Sequence, residues 1–216
     1  MRANGIERRT PMTGRIVIDL FSTLDGVMQA PGGPDEDPSG GFAHGGWQAP
    51  LVDETVGAQV LAGIDELDAL LLGRWTYDLF ASYWPAQLAS GSPIARTFDE
   101  VPKYVVSHGR PALPWRGSEL LGPDLPAELD RLRARHRSVH VIGSLGLART
   151  LVRGGLFDVL NLWLHPVALG PGKRLFPDDG PPLGLALLEP PTASPSGVVL
   201  LRYAPGPPVS TGTMEP

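Results

Sequence analysis

The chain has 216 residues, 42% of them hydrophobic and 19% charged, with a net charge of -5 and no cysteine. A chain of this length can bury roughly 70% of its unfolded surface, so one self-sufficient core is expected. Without cysteine there are no disulfides, thiolate metal sites or cysteine nucleophiles. An acidic chain lacking a basic tract argues against nucleic acid as the main partner.

No run approaches the ~20 apolar residues of a membrane helix, and no apolar signal core follows Met1. A cytoplasmic protein is expected. The 27 glycines and 24 prolines gather in 31–46, 109–117, 177–184 and 205–216, where they punctuate the spaces between elements.

Residues 1–13 read as a disordered extension, 14–204 as one domain and 205–216 as a flexible tail. Residues 15–21 are rich in β-branched side chains and read as a strand closed by Ser22–Gly26. Segment 31–46 has almost no aliphatic residue, and a loop this long is usually functional or disordered. Asp53 and Glu54 then open a helix whose Val56, Val60, Leu61 and Ile64 are spaced for one buried face.

Residues 68–73 form a short apolar run suited to a strand buried on both faces, and a helix begins at Arg74. Strands follow at 103–107 and 118–121. Asp124 caps a helix with Pro126 in its first turn. The arginine-rich run 131–137 reads as a helix end, where positive charge suits the dipole. A strand at 139–142, a helix at 145–153 ended by Gly154 and Gly155, and a strand at 158–164 come next. Residues 185–188 and 198–203 close the chain as an antiparallel hairpin. Alternating strands and helices imply an α/β fold with a mostly parallel central sheet and helices on both faces.

Three strand ends carry groups that suit phosphate. Gly73, Arg74 and Thr76 open a helix, whose free N–H groups form an anion site. Arg74 adds a fork of donors and Thr76 a hydroxyl. Ser107, His108 and Arg110 end the next strand. Gly143 permits close backbone approach at a third, and Ser144 is placed to cap the helix after it. In open α/β sheets such ends face one crevice. The five histidines show no metal-ligand spacing, so no metal is expected. No serine lies in a Gly-x-Ser-x-Gly elbow.

These motifs, together with 164–167 and 170–176, resemble in order the dihydrofolate reductase superfamily. The branch most like them is that of the riboflavin-biosynthesis reductase domain. The resemblance spans about 14–203. It implies a three-layer dihydrofolate reductase-like fold, NADPH as cofactor and hydride transfer to a small heterocycle, pterin- or pyrimidine-like. It also implies a homodimer, for which the strand at 158–164 is a candidate contact.

Carried over by position, Gly73, Arg74 and Thr76 would bind cofactor phosphates. Ser107, His108 and Arg110 would meet the 2′-phosphate, and Gly143 and Ser144 would pass beneath the pyrophosphate. Asp25 would lie near the nicotinamide, ahead of a mobile loop at 31–46. Asp53, or Glu54 beside it, would organise substrate, and Trp47 would wall its pocket or else serve as a core or lid tryptophan. The rival reading is a nucleotide-binding or sensor protein on the same fold without turnover.

Overall fold

The computed structural model describes residues 13–178 and 180–214. The expected extension at 1–13 lies almost wholly outside the described residues. The order of elements is β1 (Arg15–Thr23), α1 (Glu54–Glu66), β2 (Ala69–Gly73), α2 (Arg74–Gln87), α3 (Pro93–Glu100), β3 (Lys103–Val106) and β4 (Ser118–Leu120). They are followed by α4 (Leu125–Arg135), β5 (Ser138–Ile142), α5 (Leu145–Arg153), β6 (Val159–His165), β7 (Leu185–Leu187), β8 (Thr192–Ala193) and β9 (Val199–Pro205).

All nine strands form one sheet in the order β4-β3-β2-β5-β1-β6-β9-β7, with β8 also on β9. Every pairing from β4 to β6 is parallel. β9 runs antiparallel to β6, β7 and β8. The closing strands are therefore antiparallel, as expected, but β9 is the long shared member rather than half of a simple hairpin.

The strand pattern explains the layers. On β1, Ile16, Ile18 and Leu20 point into one core with Leu129 and Leu132 of α4 and Leu147 and Leu151 of α5. The opposite face packs Leu70, Leu72 and Val105 under Ile64 of α1, Tyr77 of α2 and Phe98 of α3. β2 serves both faces, because Leu71 belongs to the first core and Leu70 and Leu72 to the second. This is why 68–73 reads as an unbroken apolar run rather than an alternating one.

Two departures from expectation are physical. Helix α3 went unread, although Ser92 accepts from the Ala95 N–H as its N-cap and Pro93 fills its first position, a standard start signal. β6 was the candidate dimer contact. It lies between β1 and β9, with both edges hydrogen-bonded and Leu160 fully buried, so any contact through it would use the face of the partly buried Leu162 and Leu164 rather than an edge.

A buried polar chain crosses the sheet on the α1 side. Asp19 of β1 meets His140 Nδ1 at 2.7 Å and accepts from Asn161 Nδ2 at 2.8 Å. His140 Nε2 meets Ser138 Oγ at 2.9 Å, and Arg202 donates to Asn161 Oδ1. The order serine, histidine, aspartate matches that of a hydrolase triad, but a nucleophile must reach substrate. Ser138 is 3% exposed and lies at the start of β5. The chain satisfies a buried carboxylate, as burial of charge requires.

Candidate functional site

A cleft of about 250 Å³ opens where β1 and β5 end side by side. Leu20, Phe21 and Ile142 floor it. One wall is α2, through Trp75, Thr76, Leu79, Phe80 and Trp84; the other is the segment from Met28 to Asp37, with Gln48 and Lys173. Ligands in open α/β sheets lie in this position, beyond the carboxyl ends of the strands.

Thr76, Gly143 and Ser144 meet at one end of the cleft. The Gly73 N–H donates to Ser144 Oγ at 3.0 Å, and the Ser144 N–H donates to Thr76 Oγ1 at 3.0 Å. Gly143 has φ +69°, the left-handed region that favours glycine, and faces the Thr76 methyl. The Thr76 oxygen is engaged as an acceptor, which leaves its O–H as a donor.

Ser144 does not cap α5 as the sequence suggested. Its hydroxyl is turned across to β2, and α5 has no side-chain cap. Helix α2 starts behind Gly73 and also lacks one. The other α-helices are each capped by a side chain, from Asp53, Ser92 and Asp124. The two helices that begin at the cleft are thus the two whose first N–H groups no side chain satisfies. Such groups hold anions well.

Arg74, Ser107, His108 and Arg110 lie on the same edge but do not line the cleft. The register sets Gly73 opposite Val106, so Arg74 and Ser107 leave neighbouring strand ends together. Arg74 pairs through Nε with Asp78 one turn along α2. The Ser107 hydroxyl accepts from the Gly109 N–H, and His108 and Arg110 are exposed.

The carboxylates expected at the substrate end sit elsewhere. Asp53 accepts from the Val56 N–H at 2.9 Å and the Ser196 N–H at 2.9 Å. It caps α1 and ties it to the turn before β9. Chiefly the Val56 N–H holds its carboxyl down at about 2, so at neutral pH it has no proton to give. Asp25 accepts from Thr23 Oγ1 and from the Leu169 and Gly170 N–H groups. The Thr23 hydroxyl contributes most to keeping its carboxyl below the ordinary range. Asp25 therefore fastens a turn. Neither acid lines the cleft.

Trp47 is 8% exposed and stands behind the cleft. Its Nε1 donates to the Gln29 carbonyl at 2.8 Å, and its ring meets His165 edge-on. Its neighbour Gln48 does the lining. Segment 31–46, read as a mobile loop, is tied at several points. Gln29 Nε2 donates to the Asp37 and Ser39 carbonyls, Lys173 pairs with Asp37 at 2.6 Å, and the Gly46 N–H donates to the Ala30 carbonyl. Sequence reasoning missed Gln29, Glu36 and Lys173 altogether; a glutamine, a glutamate and a lysine in or beside polar loops carry no signal until the loops are folded together.

Among the described residues no cluster of His, Asp and Glu could hold a metal ion. None of the helices described is long and apolar enough to cross a membrane.

Sheet order, layers and helices on both faces define a dihydrofolate reductase-like α/β protein. The chain belongs to the RibD C-terminal domain family, which matches residues 15–196. It is 26% identical over 196 residues to the uncharacterised protein YyaP of Bacillus subtilis strain 168, covering 88% of this chain and 94% of that one. In structure it is similar to a putative riboflavin biosynthesis protein from Shewanella sp. PV-4, with TM-score 0.63, 17% identity and coverage of 89% and 99%. It is also similar to dihydrofolate reductase from Enterococcus faecalis complexed with NADP(H), with TM-score 0.53, 14% identity and coverage of 91% and 99%.

Proposed function

We propose that this protein is an NADPH-dependent reductase that passes a hydride to a small heterocycle in the cleft. The observation that carries the reading is the pair of helix starts, α2 and α5, left uncapped where Thr76, Gly143 and Ser144 converge. Membership of the RibD C-terminal domain family, and the NADP(H) complex of the similar dihydrofolate reductase, support it.

These residues fit the cofactor's phosphates. The Thr76 O–H and the first N–H groups of α2 and α5 would hold the pyrophosphate, with Gly143 allowing close approach. Arg74, Ser107, His108 and Arg110 would meet the 2′-phosphate; guanidinium groups recognise phosphate by paired hydrogen bonds. Bound NADPH supplies the hydride. The protein binds, orients and excludes water, with Leu20, Phe21 and Ile142 as the apolar floor.

Calorimetric titration with NADPH and NADH tests the reading. NADPH should bind more tightly, and Arg74→Ala should weaken NADPH selectively. A panel of reducible pterins and pyrimidines should then show cofactor oxidation with at least one member. Failure of both nicotinamide cofactors to bind would remove the reductase reading and leave the fold intact.

A further inference from the structure

The buried chain from Ser138 to Arg202 holds a charge that nothing in direct contact cancels. Asp19 accepts from Asn161 Nδ2 through one oxygen and meets His140 Nδ1 through the other. With the ring hydrogen on Nδ1 given to Asp19, His140 Nε2 accepts from the Ser138 O–H, and each of these side chains is satisfied. The ring then carries no charge. Arg202 reaches the carboxylate only through the Asn161 amide, and Glu189 answers its charge at 3.4 Å from the solvent side. Among the described residues no lysine or arginine touches Asp19.

This charge lies one layer beneath the floor of the cleft. Alternate residues of a strand face the same side, roughly 7 Å apart, so Asp19 shares its face of β1 with Phe21. The register sets Ile142 of β5 level with Asp19. Phe21 and Ile142 are both floor residues. The Asp19 carbonyl also accepts from the Gly143 N–H at 3.4 Å, which ties the same residue to the glycine at the anion site. The starts of α2 and α5 mark the phosphate end of the cleft. Arg74 and Ser107 lie along the sheet edge outside it, so an adenosine end leads out that way and a nicotinamide end leads in, over Phe21 and Ile142.

A dihydronicotinamide ring is neutral. Once its hydride has passed to a substrate, the ring is a cation. A fixed negative charge below the floor favours the cationic ring over the neutral one, and burial keeps that charge from being screened by salt. Building on the reductase reading, we propose that Asp19 biases the cleft towards the oxidised nicotinamide ring, through Phe21 and Ile142, and so favours hydride release.

The test titrates the full chain calorimetrically with NADP⁺, NADPH and adenosine 2′,5′-bisphosphate, which carries the 2′-phosphate and no nicotinamide. Asp19→Asn keeps the shape of the side chain. Its oxygen can accept from Asn161, and its NH₂ can meet His140 once the ring hydrogen moves to Nε2. Across roughly 10 Å at an effective dielectric of about 20, one unit charge changes a binding constant by about tenfold. Asp19→Asn should therefore weaken NADP⁺ about tenfold, with NADPH and the bisphosphate held within about twofold. Arg202→Gln keeps a donor for Asn161 and removes the cation at the solvent end of the chain. Its ratio of affinities should move the other way, towards tighter NADP⁺.

An unchanged ratio of NADP⁺ to NADPH affinity in Asp19→Asn overturns the proposal. So does an equal loss of all three ligands, which makes Asp19 a brace of the sheet and nothing more. If Asp19→Asn does not fold, Arg202→Gln decides alone, and a ratio that stays put or moves towards NADPH overturns the proposal. In each of these cases cofactor binding to the wild type leaves the reductase reading standing. If neither cofactor binds the wild type, the reading and the proposal fall together.

Discussion

Lys103 opens β3, the strand whose other end leads into Ser107, and it is wholly buried. Its Nζ donates to the Asp99 carbonyl at 2.9 Å and the Arg116 carbonyl at 3.2 Å, and sits 4.4 Å from the Trp115 ring centre. Burial pushes its ammonium down from an ordinary 10.5 to about 8, partly opposed by Asp99. At about 1.4 kcal/mol per pH unit, charged Lys103 costs the fold roughly 3 kcal/mol at neutral pH. The folded protein gives up this proton first, so between about 8 and 10.5 the unfolded chain binds more protons and stability rises with pH. The cost is fully present below that window. Between about pH 7 and pH 10, roughly 2.5 kcal/mol should be relieved.

Lys103→Met keeps the length of the side chain and removes the titration. Urea unfolding of both proteins across this range isolates the effect, because every other group titrates in both. The stability difference, wild type minus variant, should grow by about 2.5 kcal/mol. In a chain of this size that is roughly 5–10 °C in melting temperature. A difference that stays flat from pH 7 to pH 10, or moves the other way, refutes the account of Lys103 as a buried, charged anchor.

Thr76→Val leaves the buried Ser144 N–H unpaired, so it should cost about 1–3 kcal/mol in denaturant unfolding and also weaken NADPH; Thr76→Ser should recover most of both. Gly143→Ala forces a side chain into a left-handed backbone, at about 1 kcal/mol or more, and NADPH titration should show a larger loss than for Ser144→Ala. Asp53→Asn should abolish the part of the acid unfolding curve that Asp53 supplies. That stability is present above the ordinary 3.8 and lost as pH falls through about 2. Cofactor affinity should not change; a large fall in turnover with unaltered thermal unfolding would instead return Asp53 to catalysis. Leu71→Ala, which empties a fully buried position, should cost about 2–5 kcal/mol by chemical denaturation.

How much of this was legible depended on how local the signal was. Helix α5 follows from its apolar spacing and the two glycines after it, and its observed bounds are those expected. β2 follows from an uninterrupted apolar run. Asp19, His140 and Asn161 sit on three strands far apart in sequence, and only the register brings them together. Nothing local marks them. Glu36 is similar, because its place in the cleft wall depends on how 31–46 folds back, and the Gly32 and Gly33 N–H groups hold it there.

Capping shows the limit most clearly. Asp53, Ser92 and Asp124 stand at helix starts and cap them, as local rules say. Ser144 stands at a helix start and does not. The same hydroxyl has two possible partners, the first turn of α5 and the Gly73 N–H on β2, and local rules see only the first. Because β2 lies next to β5 in the sheet, the second partner is available and takes it. One hydroxyl thereby joins the ends of two strands and leaves the start of α5 without a side-chain cap. Where a cap is expected and the neighbouring strand has taken it, the vacated helix start becomes a place to look for a bound anion.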